Sequence, residues 1–351
     1  MMWRVALATA LFAVSIFASA ADAPKAVRIA TYGFVVAGNT TIRGTALVDR
    51  VIEEGWLEQA LNKRGVKLEW VPIVGNTGAV TNESFASGRI DFANYGDLPS
   101  VLLNAGGVRT EVIVPSGRGT DMSLLVPVGS TAKSIADLKG KRISVHRGRP
   151  WELGLRKLIE ANGLKYSDFR IFNLDPQAGA AALAAGKVDA HFVNGGDLLE
   201  DKGIGHIIWS TKGKPLHFKM RAELWGARDF AERNPELTQL VATAYVKASY
   251  WVAQEQNRDA VVAIGTLNGT PERVVRKSYE DPTLSWKDRW SPLVDDVVLE
   301  HYRDVVAAAR EDKLISKSLN PDELVEPKFV NAAIKSLKLE GYWTPWKLIA
   351  R

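Results

Sequence analysis

The chain has 351 residues, 24% charged and 46% hydrophobic, a balance that fits two or three globular lobes and excludes a disordered or fibrous protein. It contains no cysteine, which excludes a disulfide framework, a thiolate nucleophile and a lipid-modified N-terminal cysteine. The formal charge of +5 favours anionic partners in general, but the basic residues are spread rather than clustered, so no nucleic acid is expected as a partner.

Arg4 is the only charge before an apolar run at 5–17, which leads to Ala18-Ser19-Ala20, a small-x-small site that a signal peptidase could cut. Residues 1–20 therefore read as a signal peptide cleaved near Ala20. The run is too short to span a bilayer comfortably, and no later apolar run is long enough. The expected location is a bacterial periplasm, and the protein is not expected to be a lipoprotein.

Residues 27–31 alternate as a first strand and stop at Tyr32-Gly33. Apolar side chains at Ala46, Leu47, Val51, Trp56, Leu57 and Leu61 predict one helix over 45–61, packed on a sheet. A strand over 67–74 follows, then a turn into a weaker helix through Phe85. Next comes the unit Ser87-Gly88-Arg89-Ile90-Asp91-Phe92, a helix end, a basic residue and a buried strand carrying an Asp. Gly96 closes that strand, Asp97 is the expected N-cap of the next helix, and Pro99 falls in its first turn. Strands are predicted at 108–114, 122–126 and 143–145, with a crossing loop at 116–121 and a short helix at 134–138. Pro150 opens a helix over 151–162 and Asp175-Pro176 one over 177–185. The unit then recurs as Ala185-Gly186-Lys187-Val188-Asp189-Ala190, followed by Asn194-Gly195-Gly196-Asp197-Leu198 and a strand at 205–209. Beyond Phe218 the pattern is mostly helical, with starts at Asn234-Pro235, Thr270-Pro271, Asp295 and Asn320-Pro321.

A unit that appears twice implies two lobes of similar design, and alternating strands and helices give an α/β class with mostly parallel sheets. With no low-complexity linker, the chain is expected to cross between lobes near 116–121 and again near 210–219. The expected division is 21–116 and 216–351 in lobe 1, the latter mostly helical, and 117–215 in lobe 2. The loops at the carboxyl ends of the strands would face a common crevice.

Three strings carry a family likeness. They are Lys63-Arg64-Gly65-Val66-Lys67-Leu68-Glu69-Trp70-Val71, the 87–99 stretch ending Tyr95-Gly96-Asp97-Leu98-Pro99, and Ser134-Ile135-Ala136-Asp137-Leu138-Lys139-Gly140-Lys141-Arg142-Ile143-Ser144-Val145. Over roughly residues 25–260 the chain resembles periplasmic solute-binding proteins of ABC importers, and within them the nitrate, taurine and aliphatic-sulfonate branch. The resemblance implies a two-lobed type II periplasmic-binding-protein fold, with a hinge and a ligand cleft between the lobes. It implies a monomer that captures a small organic oxyanion, first of all an aliphatic sulfonate, for ABC permease and ATPase subunits at the inner membrane. No catalytic residue, cofactor or metal is implied. Nitrate, taurine, an aromatic acid or a thiamine precursor are the alternative ligands. A pyrimidine synthase of thiamine biosynthesis shares the fold, but its resemblance implies a cysteine-rich iron motif that this chain cannot have. The five histidines show no metal-ligand spacing, and no G-x-S-x-G elbow is present.

An oxyanion in a dry cleft needs donors already aimed at it, which helix N-termini supply. Three helix starts are candidates: 76–80, 96–100 and 149–152. In the third, the cap position falls on Arg149, which has no side-chain oxygen and could itself hold an anion, with Trp151 along the ligand tail. Asn76 and Thr77 can donate at the first. At the second, Asp97 would cap its own helix and leave the N–H groups of Leu98 and Ser100 beyond Gly96. Tyr32 and Gly33 end the first strand, and Arg118 lies in the first crossing loop. Position in the family adds Asn194 and Gly195. Arg149 stands where many sulfonate binders have a small hydroxyl residue, and Val193-Asn194-Gly195-Gly196 replaces a Trp-Asp-Pro string. Both departures predict a more basic and more open pocket in the second lobe.

Overall fold

The protein is described here by a computed structural model covering residues 24–36, 38–43, 45–74 and 77–347, so the expected signal peptide lies outside the described residues. The strands are β1 Ala26–Tyr32, β2 Phe34–Val36, β3 Asn39–Thr41, β4 Lys67–Ile73, β5 Phe92–Gly96, β6 Thr110–Val114, β7 Met122–Val126, β8 Arg142–Val145, β9 Arg170–Asn173, β10 Ala190–Asn194, β11 His206–Ser210 and β12 Ala222–Ala227. The helices are α1 Ala46–Glu54, α2 Trp56–Asn62, α3 Thr77–Ala86, α4 Asp97–Ala105, α5 Pro150–Ala161, α6 Pro176–Ala184, α7 Gly196–Asp201, α8 Arg228–Arg233, α9 Pro235–Val252, α10 Arg258–Thr266, α11 Glu272–Ser278, α12 Trp286–Arg289, α13 Asp296–Glu311 and α14 Pro327–Ser336. No helix among the described residues is long and apolar enough to cross a membrane.

The strands form two five-stranded sheets, ordered β4-β1-β5-β12-β6 and β11-β7-β10-β8-β9, beside the small β2–β3 hairpin. Within each sheet the strands built by helical crossovers pair in parallel, as β1 does with β4 and β5, and β8 with β9 and β10. The strand that has just arrived from the other lobe runs antiparallel: β7 against β10 and β11, and β12 against β5 and β6. The sheets are therefore mixed, because a chain entering a lobe through a short crossing meets its sheet from the carboxyl end.

Three local expectations change. The helix over 45–61 is two helices, because Gly55, at φ 65°, ends α1 and starts α2. Strand β12 lies in a stretch expected to be helical. Its sequence, AELWGA, is too short and too mixed to alternate, and its pairing partners are distant in the chain. Asn320-Pro321 starts only a single 3-10 turn, in which Asn320 accepts from the N–H of Asp322.

The repeated unit has a structural explanation. In lobe 1 the Asp91 carboxylate accepts from the N–H of Arg28 at 2.8 Å and from its Nε and Nη2 at 3.1 and 2.7 Å, while Arg28 Nη1 donates to the carbonyl of Gly88. In lobe 2 Asp189 takes the same three donors from Arg142 at 2.8, 3.0 and 2.8 Å, and Arg142 Nη2 donates to the carbonyl of Gly186. Each copy thus clamps the amino end of a parallel strand pair with a bidentate arginine. The clamps lie at the strand ends opposite the interlobe crevice.

Two crossings join the lobes, 115–121 and 211–221, and they are stitched together. Thr120 and Met220 exchange both backbone hydrogen bonds, at 2.8 and 3.2 Å. The Lys219 side chain is fully buried and its ammonium bridges Asp281 at 2.8 Å and Asp121, which also accepts from Thr211 at 2.6 Å. Arg221 donates to Glu223 at 2.6 Å and to the carbonyl of Gly117 at 2.7 Å. Gly117 has φ 112°, and a Cβ there would stand 2.3 Å from the carbonyl oxygen of Arg289, so only glycine fits. The C-terminal helices complete lobe 1: α9 and α14 cover one face of the first sheet with α1 and α2, and α13 covers the other with α4.

Lys219→Met is expected to destabilise the protein by about 3–5 kcal/mol in urea titrations, because the buried Asp281 carboxylate and the partly buried Asp121 lose their cation. Acid should act on the same cluster. Burial pushes the Asp281 carboxyl up, but Lys219 and the N–H and hydroxyl of Thr283 outweigh it and hold its pKa at about 2. A folded-state value below the unfolded one, about 3.9, stabilises above that value and is lost as pH falls from about 4 towards 2. Roughly 2–3 kcal/mol of stability should disappear over that window, and Asp281→Asn should flatten this part of the profile.

Candidate functional site

The carboxyl ends of β1, β5 and β10 converge on the stitched crossings, and a cavity of about 420 Å³ lies between them. Lobe 1 contributes Thr31, Tyr32, Thr45 and Asn94, and lobe 2 contributes Ser123, Asn194, Gly195 and Asp197. The first crossing adds Ser116, Thr120 and Asp121, and the segment after α11 folds back to supply Tyr279, Arg289 and Trp290. The polar lining is mainly hydroxyl and amide. Its two carboxylates already hold cations: Asp121 has Lys219, and Asp197 has Lys212 at 2.8 Å.

The structure brings Tyr32, Asn194 and Gly195 together on this wall. Burial pushes the Tyr32 phenol up, and the nearby Arg149 charge opposes the shift. Asn94 fixes its amide by donating to the hydroxyl of Tyr245 at 2.8 Å. Gly195 ends β10 at φ 73°, a left-handed turn that aims the start of α7 across the cavity.

The other candidates stand elsewhere. Gly33 lies behind the wall, where its N–H donates to Ile73 and a Cβ would press on Pro72 and Val74 at 3.0 Å. Asn76 is outside the described residues, and Thr77 is described only as the start of α3. Gly96, not Asp97, is the N-cap of α4, and a Cβ on Gly96 would stand 3.1 Å from the Pro150 ring, so the two lobes touch there. Asp97 is buried and its carboxylate is spent on structure. It accepts from the N–H groups of Leu98 and Arg221 at 2.6 and 2.9 Å and pairs with His301 Nε2 at 2.8 Å. Burial holds His301 below its ordinary pKa although Asp97 opposes it. Leu98 is a core side chain. Arg118 is likewise buried, donating to Asp295 at 2.6 Å and to Ser291 and the carbonyl of Thr344 at 3.2 Å, which makes it an anchor of the first crossing.

Arg149 is the N-cap of α5, with no side-chain cap hydrogen bond, as its position in the sequence implies. Its guanidinium lies 5.2 Å from the Trp151 ring centre, and a Cβ on Gly78 would stand 3.0 Å from its Nη1. It therefore occupies the seam where α3, α4 and α5 meet, near enough to Tyr32 for its charge to act on the phenol, and is not among the described residues lining the cavity. Trp151 is buried in the lobe 2 core and stacks on His146 at 5.8 Å. Arg147 turns to Glu152 at 3.1 Å; burial pushes that carboxyl up, but the N–H of Gly148, Arg147 and Arg156 together hold it below its ordinary range.

Sequence reasoning missed Arg289 and Trp290. They are 7% and 9% exposed, and Arg289 is the one cation among the described residues lining the cavity. The available signal was Trp286-Lys287-Asp288-Arg289-Trp290, two tryptophans bracketing two basic residues in the helical tail. Nothing local says that this tail returns to the first crossing, where the carbonyl of Arg289 accepts from the N–H of Arg118 at 2.9 Å.

Comparison with known proteins gives a consistent result. The family described as ABC transporter, phosphonate, periplasmic substrate-binding protein matches residues 55–264. A solved structure described as a periplasmic sulfonate-binding protein SsuA from Methylobacillus flagellatus is 44% identical, with a TM-score of 0.84 over 93% of this chain and 99% of that one. The taurine-binding periplasmic protein of Escherichia coli is 24% identical over 70% of this chain and 78% of its own length. The fold by itself does not separate binding from catalysis, since the desulfurization enzyme DSZB superposes with a TM-score of 0.65 at 17% identity, covering 89% of this chain and 99% of that one. With its family matched over more than half the chain and its two-lobed type II fold in place, the protein belongs to the periplasmic substrate-binding proteins of ABC transporters.

Proposed function

We propose that the protein is the periplasmic receptor of an ABC importer and captures an aliphatic sulfonate in the interlobe cavity by hinge closure. The observation that carries this reading is the cavity itself, walled by both lobes and the first crossing, with a described lining of hydroxyls, amides, one guanidinium and two carboxylates that already hold cations. A ligand there touches both lobes at once, so binding favours the closed arrangement. The relatives named for sulfonate and taurine support the ligand class. Exported and released by cleavage near Ala20, the receptor would deliver its ligand as a monomer to permease and ATPase subunits at the inner membrane.

The family description names phosphonates, but the charge balance favours sulfonates. A sulfonate carries one negative charge at any physiological pH. An alkylphosphonate approaches two, and among the described lining residues Arg289 is the one cation not already paired with a carboxylate of the wall, enough for one charge and not two. The reading includes no chemistry, in keeping with the transport family whose model the chain matches.

Ethanesulfonate and taurine should raise the melting temperature, by an amount equivalent to about 2.7 kcal/mol at a hundred times the dissociation constant. Methylphosphonate, nitrate and a neutral pyrimidine should shift it far less. A shift confined to methylphosphonate or the pyrimidine would contradict the assignment. Arg149 is proposed to act from the seam near Tyr32, through its charge. Arg149→Ala should fold normally and weaken sulfonate binding by about tenfold or less in calorimetry, as for a charge acting at a distance through a high effective dielectric.

A further inference from the structure

The walls of the cavity contain polar groups that the fold itself does not use. Arg289 commits Nη2 to the carbonyl of Tyr279 at 2.7 Å, but its Nε has no hydrogen-bond partner among the described residues. The indole Nε1 of Trp290, the next residue, has none either, and both side chains are more than nine-tenths buried. The hydroxyls of Thr31 and Thr45, on the lobe 1 side of the same cavity, are also buried without a partner. Buried polar groups are nearly always satisfied, so four such groups around one cavity call for an explanation from outside the fold.

Their chemistry is one-sided. The Nε–H of an arginine and the Nε1–H of a tryptophan can only donate, and a threonine hydroxyl can turn its proton towards an acceptor. A sulfonate has three oxygens, carries no proton at neutral pH and can only accept. We infer that Arg289 and Trp290 are the head-group site for the sulfonate, with Arg289 supplying the charge-assisted bond and Thr31 and Thr45 facing it from lobe 1. This rests on the reading of the protein as a sulfonate receptor and assigns that ligand's anionic end to the C-terminal segment. Burial lowers the Arg289 pKa while Asp121 and Asp281 oppose it, and arginine remains charged throughout. The placement also ties recognition to the hinge. The carbonyl of Arg289 holds the N–H of Arg118 and packs against Gly117, so the head-group site and the first crossing move as one piece.

The structural duty of this segment runs through the Arg289 carbonyl and the Nη2 bond to Tyr279, whereas the recognition proposed for Trp290 runs through its indole N–H alone, so Trp290 separates the two. Trp290→Phe keeps an aromatic ring and removes one donor. Calorimetry with ethanesulfonate on the full chain should show Trp290→Phe weakened about threefold to tenfold, and Arg289→Gln about thirtyfold or more, as expected for a neutral and a charge-assisted hydrogen bond. In a ¹⁵N spectrum of the tryptophan side chains, the indole resonance missing from Trp290→Phe should move downfield when wild type is saturated with ethanesulfonate. If Arg289→Gln fails to fold, the Trp290 measurements still decide. Wild-type binding with unchanged affinity in Trp290→Phe and a stationary Trp290 resonance would overturn the assignment. No binding of any sulfonate by wild type would instead overturn the receptor reading beneath it.

Discussion

The ammonium of Lys219, buried between Asp121 and Asp281, is the contact on which the rest of this architecture depends. Asp121 belongs to the first crossing, Lys219 to the second, and Asp281 to the C-terminal segment that folds back over both. One cation therefore pins together three stretches that lie far apart in the chain. A buried pair of this kind adds little net stability against an apolar alternative, but it is costly to break and so fixes one arrangement. With the crossings fixed, β7 and β12 must enter their sheets antiparallel, and the carboxyl ends of β1, β5 and β10 must face each other across a gap. The cavity is the consequence.

Around that node the polar side chains divide into two groups. Asp97 holds His301 and the N–H of Arg221, Glu223 holds the Arg221 guanidinium, and Asp295 holds Arg118, and these contacts fix the hinge. Tyr32, Asn194, Thr31, Thr45, Arg289 and Trp290 line the gap, and four of them keep a buried side-chain polar atom without a partner among the described residues. A receptor requires this division, because groups that stabilise the hinge cannot also be given to a ligand. Across the mouth of the cavity, α11 of the C-terminal half meets α7 of lobe 2 through Arg273 with Asp201 and Lys277 with Glu200. The lobes are thus linked at the rim by exposed ion pairs, which are weak and screened by salt, and at the hinge by buried ones.

Much of the fold was legible because its signals are local. The strand at 122–126 and the Pro-started helices α5, α6 and α9 follow from alternation and caps within a few residues of each other. The repeated Gly-basic-x-Asp unit correctly pointed to two similar lobes. Its aspartates do not reach the cavity, because they clamp Arg28 and Arg142 at the far ends of the sheets. The site was harder to read. Tyr32, Asn194 and Gly195 reach the cavity because strand ends do so in this fold. Arg118 and Asp97 have the residue types of a site but are consumed by partners more than a hundred residues away. Arg289 and Trp290 reach the cavity only through long-range contacts of the tail, which no local pattern encodes.

The central claim is that the cavity between the stitched crossings and the two lobes is where the ligand sits. A crystal structure of the mature protein with ethanesulfonate tests it most directly. The account predicts density for the sulfonate between Tyr32, Asn194 and Arg289, in contact with both lobes. Density confined to the seam beside Arg149 and the start of α3, or to an outer surface of one lobe, would contradict it.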